Sequence, residues 1–120
     1  MYTERHTISV TTDSGGNATA YTEVLSGKIA GIIYVKTDFA AGVDFAITLE
    51  ATGETLWTQS NVDSTVTKYP AGQINKTDGT SAVSGSDPVL DRIIAARDRV
   101  KLVISSGGNV KTGTFHIMVS

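Results

Sequence analysis

The sequence predicts a mainly β protein, an antiparallel and jelly-roll-like β-sandwich with one short helix. Thr, Val and Ile supply 39 of the 120 residues, and such β-branched side chains favour strands. Short segments that alternate between apolar and polar residues recur along the chain, separated by clusters of Gly, Asn and Asp. Many short strands separated by turns are typical of β-sandwiches and jelly rolls. The mass of 12.6 kDa predicts a single domain over residues 1–120.

The first two predicted strands surround a glycine-rich turn. Residues 6–12 alternate between the two sides of a strand, with Ile8 and Val10 on one side. Residues 13–17, DSGGN, tolerate the positive φ angles of a tight turn. Residues 18–25 then resume a strand pattern, so we predict a β-hairpin at the start of the fold.

Three further strands are predicted before the middle of the chain. Residues 29–36, IAGIIYVK, place apolar side chains on both sides, which is typical of a central strand covered on both faces. Residues 43–49, VDFAITL, alternate strictly and predict one buried and one solvated face. Leu56 and Trp57 begin another short strand.

Residues 59–87 are predicted to form a polar loop or arm. The segment is rich in Ser, Thr, Asn, Asp and Gly, and so long a stretch without a strong element is unusual in a compact domain. It forms short irregular strands joined by loops, an extended arm ordered by a neighbouring subunit, or a disordered segment. Isolated apolar residues along it suit both of the ordered alternatives; they are Val62, Val66, Tyr69, Ile74 and Val83.

The short helix is predicted over residues 88–97. Asp87 can act as the N-cap and Pro88 fits the first helical position. Helical spacing then relates Val89, Leu90, Ile93, Ile94 and Arg97. Residues 100–104 and 114–119 form two more strand patterns around a second Gly-Gly-Asn turn, which predicts a second hairpin.

The chemistry-bearing residues predict no enzyme, no metal ion and no cofactor. The chain has no cysteine, which excludes disulfides and cysteine nucleophiles. Its two histidines, His6 and His116, lie on the first and last strands; with Glu4 they form a metal site or, more simply, three surface residues. Asp44 and Glu50 share one strand face but lie about 20 Å apart, too far for a glycosidase pair. No nucleophile elbow, phosphate-binding loop or calcium loop occurs.

Charge is distributed unevenly along the chain, whose net charge is −2. Residues 85–120 carry a surplus of basic groups, including Arg97 and Arg99, whereas residues 1–84 are acidic. The basic groups either dock the domain on an acidic surface or balance neighbouring carboxylates on a solvated face. Aromatic residues are not interleaved with them, so nucleic-acid binding is not expected. No apolar stretch has the length of a membrane span, and residues 1–6 lack a signal-peptide core, so we expect cytosolic synthesis.

Several segments resemble small structural proteins of tailed bacteriophages and prophages. They are RHTISVTT (5–12), YVKTDF with GVDF (34–39 and 42–45), LWT (56–58), RVKLVI (99–104) and GGNVKTGTFH (107–116). The resemblance covers most of the chain. Among small virion proteins, capsid cement or decoration proteins with jelly-roll-like sandwiches are the closest analogues, and no catalytic residues come with the resemblance.

The resemblance implies a virion protein, made in the host bacterial cytoplasm, that binds the outside of the capsid lattice. Its expected partner is the major capsid protein or another virion protein, and a homodimer or homotrimer gripping several capsomers would gain avidity. The candidate partner-contact residues are Val62, Val66, Tyr69, Ile74, Val83, Arg97 and Arg99. One alternative is a tail, connector or baseplate component. Another is a glycan-binding β-sandwich module, which needs an exposed Trp57 or tyrosine.

Overall fold

Antiparallel strands form the regular structure of residues 3–120, the part of the chain that the computed structural model describes. No helix occurs in this range. The strands are β1 (Glu4–Thr11), β2 (Ala18–Tyr21), β3 (Leu25–Val35), β4 (Val43–Leu49), β5 (Thr55–Val62), β6 (Val66–Lys68), β7 (Ala71–Gln73), β8 (Val83–Ser84), β9 (Asp87–Pro88), β10 (Leu90–Arg92), β11 (Ile94–Asp98), β12 (Val100–Ser105) and β13 (Thr112–Val119). The prediction of an antiparallel β protein is confirmed.

Two larger sheets make up the body of the protein. The first sheet has the order β1-β13-β3-β11, with β6 also paired to β3, and the second has the order β2-β12-β4-β5. The long strand β3 therefore has a strand partner on each side, which confirms its central position in a sheet. The prediction that both of its faces are covered is not met, because Ile32 and Tyr34 are buried in the core whereas Ile33 and Val35 on the other face are half-buried. Two small ladders, β7 with β10 and β8 with β9, lie outside both sheets.

Inner side chains from both sheets form one apolar core. Along β4 and β13, buried and half-buried residues alternate strictly, which confirms the period of two at residues 43–49. The ring centroid of Phe45 on β4 lies 5.1 Å from that of Phe115 on β13 and 5.3 Å from that of Trp57. Tyr34 and Phe39 complete this aromatic cluster. Contacts between aromatic rings therefore join the two sheets.

The predicted helix over residues 88–97 is wrong, because this segment contributes to β9, β10 and β11. Ile93 and Ala95 are buried whereas Ile94 is 61% exposed, which is the period of a strand. β-Branched residues favour that conformation, and β11 gains backbone pairing with β3. Pro88 lies in the exposed two-residue strand β9, where a missing N–H is tolerated.

Both predicted hairpins are also wrong, because each glycine-rich turn connects strands of different sheets. β1 pairs with β13 and β2 pairs with β12. The two turns instead contact each other: Gly107 N–H donates to the Gly16 carbonyl at 3.0 Å, and the buried Thr12 hydroxyl donates to the Gly108 carbonyl at 2.7 Å. Gly16 has φ 80°, and a Cβ there would lie 3.0 Å from Gly108 N. Glycine is therefore required where the turns meet.

Candidate functional site

Residues 71–92 form an arm that stands outside the two larger sheets. β7 pairs with β10 along it, and Asn75 pairs with Ser81 nearer its tip. No residue between 71 and 92 is fully buried. The radius of gyration of 15.4 Å exceeds the roughly 13.6 Å expected for a compact chain of this length. Backbone hydrogen bonds, rather than a core of its own, therefore hold the arm.

One side of the arm and its base carries a row of exposed apolar side chains. The β7–β10 register pairs Gln73 with Leu90, and extending it towards the body places Tyr69 beside Ile94. Tyr69 is 65% exposed and Leu90 is 56% exposed. The guanidinium carbon of Arg92 lies 5.6 Å from the centroid of the Tyr69 ring. The side chains on this side of the arm, apolar and polar together, are termed the arm face and are those of Tyr69, Ala71, Gln73, Leu90, Arg92 and Ile94.

The structure places the five apolar candidate contact residues in different surroundings. Val62 is only 3% exposed, and Val66 packs half-buried against the core. Neither side chain presents much surface to a partner. Tyr69, Ile74 and Val83 are exposed; Tyr69 belongs to the arm face, and the other two lie farther along the arm.

The two candidate arginines lie at different sheets, Arg97 in the first and Arg99 next to the second. Arg97 is exposed on β11 of the first sheet. Arg99 immediately precedes β12 of the second sheet, where its Nε donates to Glu50 Oε1 at 3.1 Å. Its guanidinium carbon lies 4.3 Å from the centroid of the Tyr21 ring. Hydrogen bonding with Glu50 raises the pKa of Arg99 above its ordinary value, so this side chain stays charged and engaged within its own chain.

Sequence reasoning missed Leu90, Arg92 and Ile94 as surface candidates. The helix interpretation placed Leu90 and Ile94 on a helical stripe together with Ile93. The structure buries Ile93 and exposes its neighbour Ile94. A strand interpretation of residues 90–95 could have found these side chains, since every second position then shares a face.

The two histidines do not come together, although the first and last strands pair. The β1–β13 register pairs Thr7 with His116, so the adjacent residue His6 points to the opposite face of the sheet. Nδ1 of His6 lies 2.7 Å from Glu23 Oε1, and its Nε2 lies 3.4 Å from Glu4 Oε2. Residues 3–120 contain no group of three His, Cys, Asp or Glu side chains suited to a metal ion.

A cavity of about 240 Å³ opens beside His6, between β1 and β2. Tyr21, Thr22 and Glu23 line its other side. The Thr22 hydroxyl donates to the Glu23 carbonyl at 2.9 Å, whereas both ring nitrogens of His6 face carboxylates. The residues that line the cavity therefore do not form a hydroxyl nucleophile hydrogen-bonded to a histidine base, the pair that nucleophilic catalysis uses.

Two other polar aromatic residues are enclosed by the core. Trp57 is 6% exposed, and its indole N–H donates to Gln59 Oε1 at 3.0 Å, so it offers no platform for a sugar ring. Burial raises the pKa of Tyr34. The Tyr34 hydroxyl has no hydrogen-bond partner among residues 3–120, and Phe39, Phe45 and Phe115 surround its ring.

Comparison with protein-family models and with curated protein sequences gives no match to this chain. Within the described residues, no helix is long and apolar enough to cross a membrane. The arm face therefore stands as the candidate functional site on its geometry alone.

Proposed function

We propose that this chain is a non-enzymatic structural protein of a tailed-phage virion, bound to the outside of the capsid lattice as a cement or decoration protein. The observation that carries the proposal is that large apolar side chains on the arm are exposed to solvent, although the body beside it has its own apolar core. The resemblance of the sequence to phage structural proteins supplies the virion context. A jelly-roll-like sandwich of the two larger sheets belongs to the proposal, supported by the aromatic contacts between them.

The exposed side chains favour attachment at many weak sites. Complete burial of an aliphatic or aromatic side chain contributes about 1.5–3 kcal/mol. Tyr69, Leu90 and Ile94 are all more than half exposed, so covering them would contribute about 3–5 kcal/mol before the entropic cost of association. One such contact binds weakly. A dimer or trimer engaging a repeating lattice would bind far more tightly through avidity.

The number of copies per purified particle tests the proposed location. Quantitative mass spectrometry against the major capsid protein should give on the order of hundreds of copies, since a shell repeats its binding sites by symmetry. Roughly a dozen copies or fewer would contradict a shell location and favour the alternative of a tail, connector or baseplate component.

An arm-replacement variant tests the proposed contact. Pro70 and Ile93 are both buried at the base of the arm, and the β7–β10 register extended by one residue places them opposite each other. Replacing residues 71–92 by an Asn-Gly turn should therefore keep the body folded and reduce sedimentation with particles, because it removes Leu90 and Arg92 from the arm face and leaves Tyr69 and Ile94. Undiminished sedimentation of a folded variant would refute the arm as the contact.

Single substitutions provide a milder version of the same test. Ile94→Thr should weaken particle binding because it removes apolar surface from the arm face. Val24→Thr is the matched control, because Val24 is 60% exposed outside the arm face. Equal effects of the two substitutions would argue against a specific role for the arm face.

A glycan-binding module remains the alternative from another functional class, because Tyr69 is exposed beside polar groups of the arm face. A glycan array separates the two proposals. The virion proposal expects no hits, whereas a specific hit lost in Tyr69→Ala would favour the glycan-binding module.

A further inference from the structure

We propose that the arm face and the outer face of the first sheet form one basic and apolar surface that docks on an acidic protein surface. The outer face is the side of β1, β13, β3, β6 and β11 that points away from the core. This inference rests on the proposed function, because it assigns a chemistry to the partner of the same arm.

Basic side chains outnumber acidic ones on this surface. Strand register and burial place Arg5 of β1 and Lys28 of β3 on the outer face, and Arg92 belongs to the arm face. Among the described residues, no Asp or Glu occupies an outward position of these strands or of the arm face. One carboxylate reaches the rim, since Asp91 Oδ1 lies 3.9 Å from Lys28 Nζ. The surface is therefore positive, although the chain carries a net charge of −2.

The apolar part of the surface is continuous between arm and body. A Cβ at Gly31 would lie 2.7 Å from Met118 Cε and 3.6 Å from Tyr69 Cδ1. Both side chains therefore lie over the bare backbone of this glycine. Half-exposed Ile33 follows on the same face of β3. An apolar strip thus extends from the arm face onto the first sheet, with basic groups along it.

The fold assembles these charges from distant parts of the sequence. The basic surplus in residues 85–120 is divided, because the chain crosses from the first sheet to the second between β11 and β12. Arg99 is engaged by Glu50, and Lys101 lies on β12 of the second sheet. The basic groups of the proposed surface are instead Arg5 and Lys28 on the outer face of the first sheet and Arg92 on the arm face.

Protein suits this surface better than nucleic acid does. Single-stranded nucleic acids are bound by several aromatic side chains that stack on bases, whereas among residues 3–120 this surface offers one tyrosine, Tyr69, among aliphatic side chains. Leu90 and Ile94 need an apolar partner surface, and the cations need carboxylates. An acidic protein surface with exposed apolar groups meets both needs, and opposite charges would accelerate encounter and fix orientation.

A titration with a defined acidic polypeptide tests the inference. The probe is a random copolymer of glutamate and tyrosine, added to the intact ¹⁵N-labelled protein and followed by NMR. We expect shifts at Lys28, Tyr69 and Arg92, a dissociation constant that rises steeply with salt, and no shifts at Tyr21 or Lys101 on the second sheet. Shifts centred on Tyr21 and Lys101, or tighter binding of single-stranded DNA than of the copolymer, would overturn the inference.

Charge variants complete the test. The triple variant Arg5→Gln, Lys28→Gln and Arg92→Gln should bind the copolymer about tenfold more weakly, with its fold checked by its NMR spectrum. Lys101→Gln is the matched control and should bind as the wild type does. Equal binding by the triple variant would refute the inference. Particle sedimentation is scored separately: if wild-type protein does not sediment with particles, the proposed function fails whatever the copolymer shows.

Discussion

Replacing Gly113 by alanine is expected to destabilise the fold, because it forces a methyl group into the aromatic core. Gly113 lies on β13 opposite Val10 of β1. A Cβ at this position would lie 2.6 Å from Cδ2 and 2.9 Å from Cζ of Phe39. The Phe39 ring is 2% exposed and stacks on Tyr34 at a centroid distance of 6.1 Å. It therefore has little room to retreat.

The loss of stability caused by Gly113→Ala depends on how the core responds to the added methyl group. If the rings shift and remain packed, overpacking of this kind costs about 1–3 kcal/mol. If the Phe39 ring is expelled, the cost approaches the roughly 3–5 kcal/mol of truncating a buried phenylalanine. We expect a loss in the lower of these two ranges, since the Phe39 ring packs against several neighbouring side chains and is not easily expelled. Gly72→Ala is the matched control, because a Cβ there meets its nearest neighbours at 3.5 and 3.8 Å, which is ordinary contact.

Urea unfolding followed by the fluorescence of the single tryptophan, Trp57, measures both variants. A double-mutant cycle with Phe39→Leu then isolates the clash. The smaller side chain should accommodate the new methyl, so the combined effect should fall short of the sum by about 0.5–3 kcal/mol. A neutral Gly113→Ala, or effects that simply add, would refute the placement of Phe39 against this strand.

Three further predictions concern single polar groups. Tyr34→Phe should leave stability unchanged or raise it by up to about 1 kcal/mol in urea unfolding, because the buried hydroxyl has no partner among residues 3–120; a loss above about 1 kcal/mol would reveal a hydrogen bond. Thr12→Val should cost about 1–3 kcal/mol in the same assay, since the buried hydroxyl donates to the Gly108 carbonyl; no loss would argue against the contact between the two turns. The hydroxyl and N–H of Thr80 donate to Asp78 and lower the pKa of Asp78, so this interaction favours the folded turn above the ordinary carboxyl pKa and is lost as pH falls through the lowered one. Thr80→Ala should raise the Asp78 pKa in a carboxyl ¹³C NMR titration, and an unchanged value would contradict the assignment.

Alternation in the sequence predicted where strands lie better than it predicted their partners. The pattern of residues 43–49 matches β4, because burial of every second side chain is a local property of a strand. Pairing is not local. A Gly-Gly-Asn turn can close a hairpin or carry the chain to the other sheet. The contact of Gly107 with Gly16 lies outside any sequence window.

The helix prediction failed for a related reason. Asp87 and Pro88 form a good local start for a helix, but an N-cap contributes only about 0.5–2 kcal/mol. Burial of Ile93 and Ala95 and the ladder between β11 and β3 outweigh it. These contributions depend on strands far away in the sequence.

The candidate site was partly predictable. Tyr69, Ile74 and Val83, three of the single apolar residues in the polar segment, are exposed in the structure, and their contact with a partner stays a prediction. Val62 has the same sequence surroundings but is buried, because β5 extends to this residue and pairs it with Val43. Neighbours that depend on strand pairing, such as Ile94 beside Lys28, could not be predicted from the sequence, because pairing joins residues far apart in the chain.

Hydroxyl-radical footprinting of purified particles tests the central claim that the arm face contacts the virion. Tyr69 and Tyr21 provide an internal comparison, since they are 65% and 39% exposed and belong to the arm face and to the second sheet. Oxidation at each is measured by mass spectrometry in the free protein and in the particle. If the arm face contacts the virion, Tyr69 becomes protected in the particle while Tyr21 remains reactive. Unchanged oxidation of Tyr69 together with protection of Tyr21 would contradict this contact.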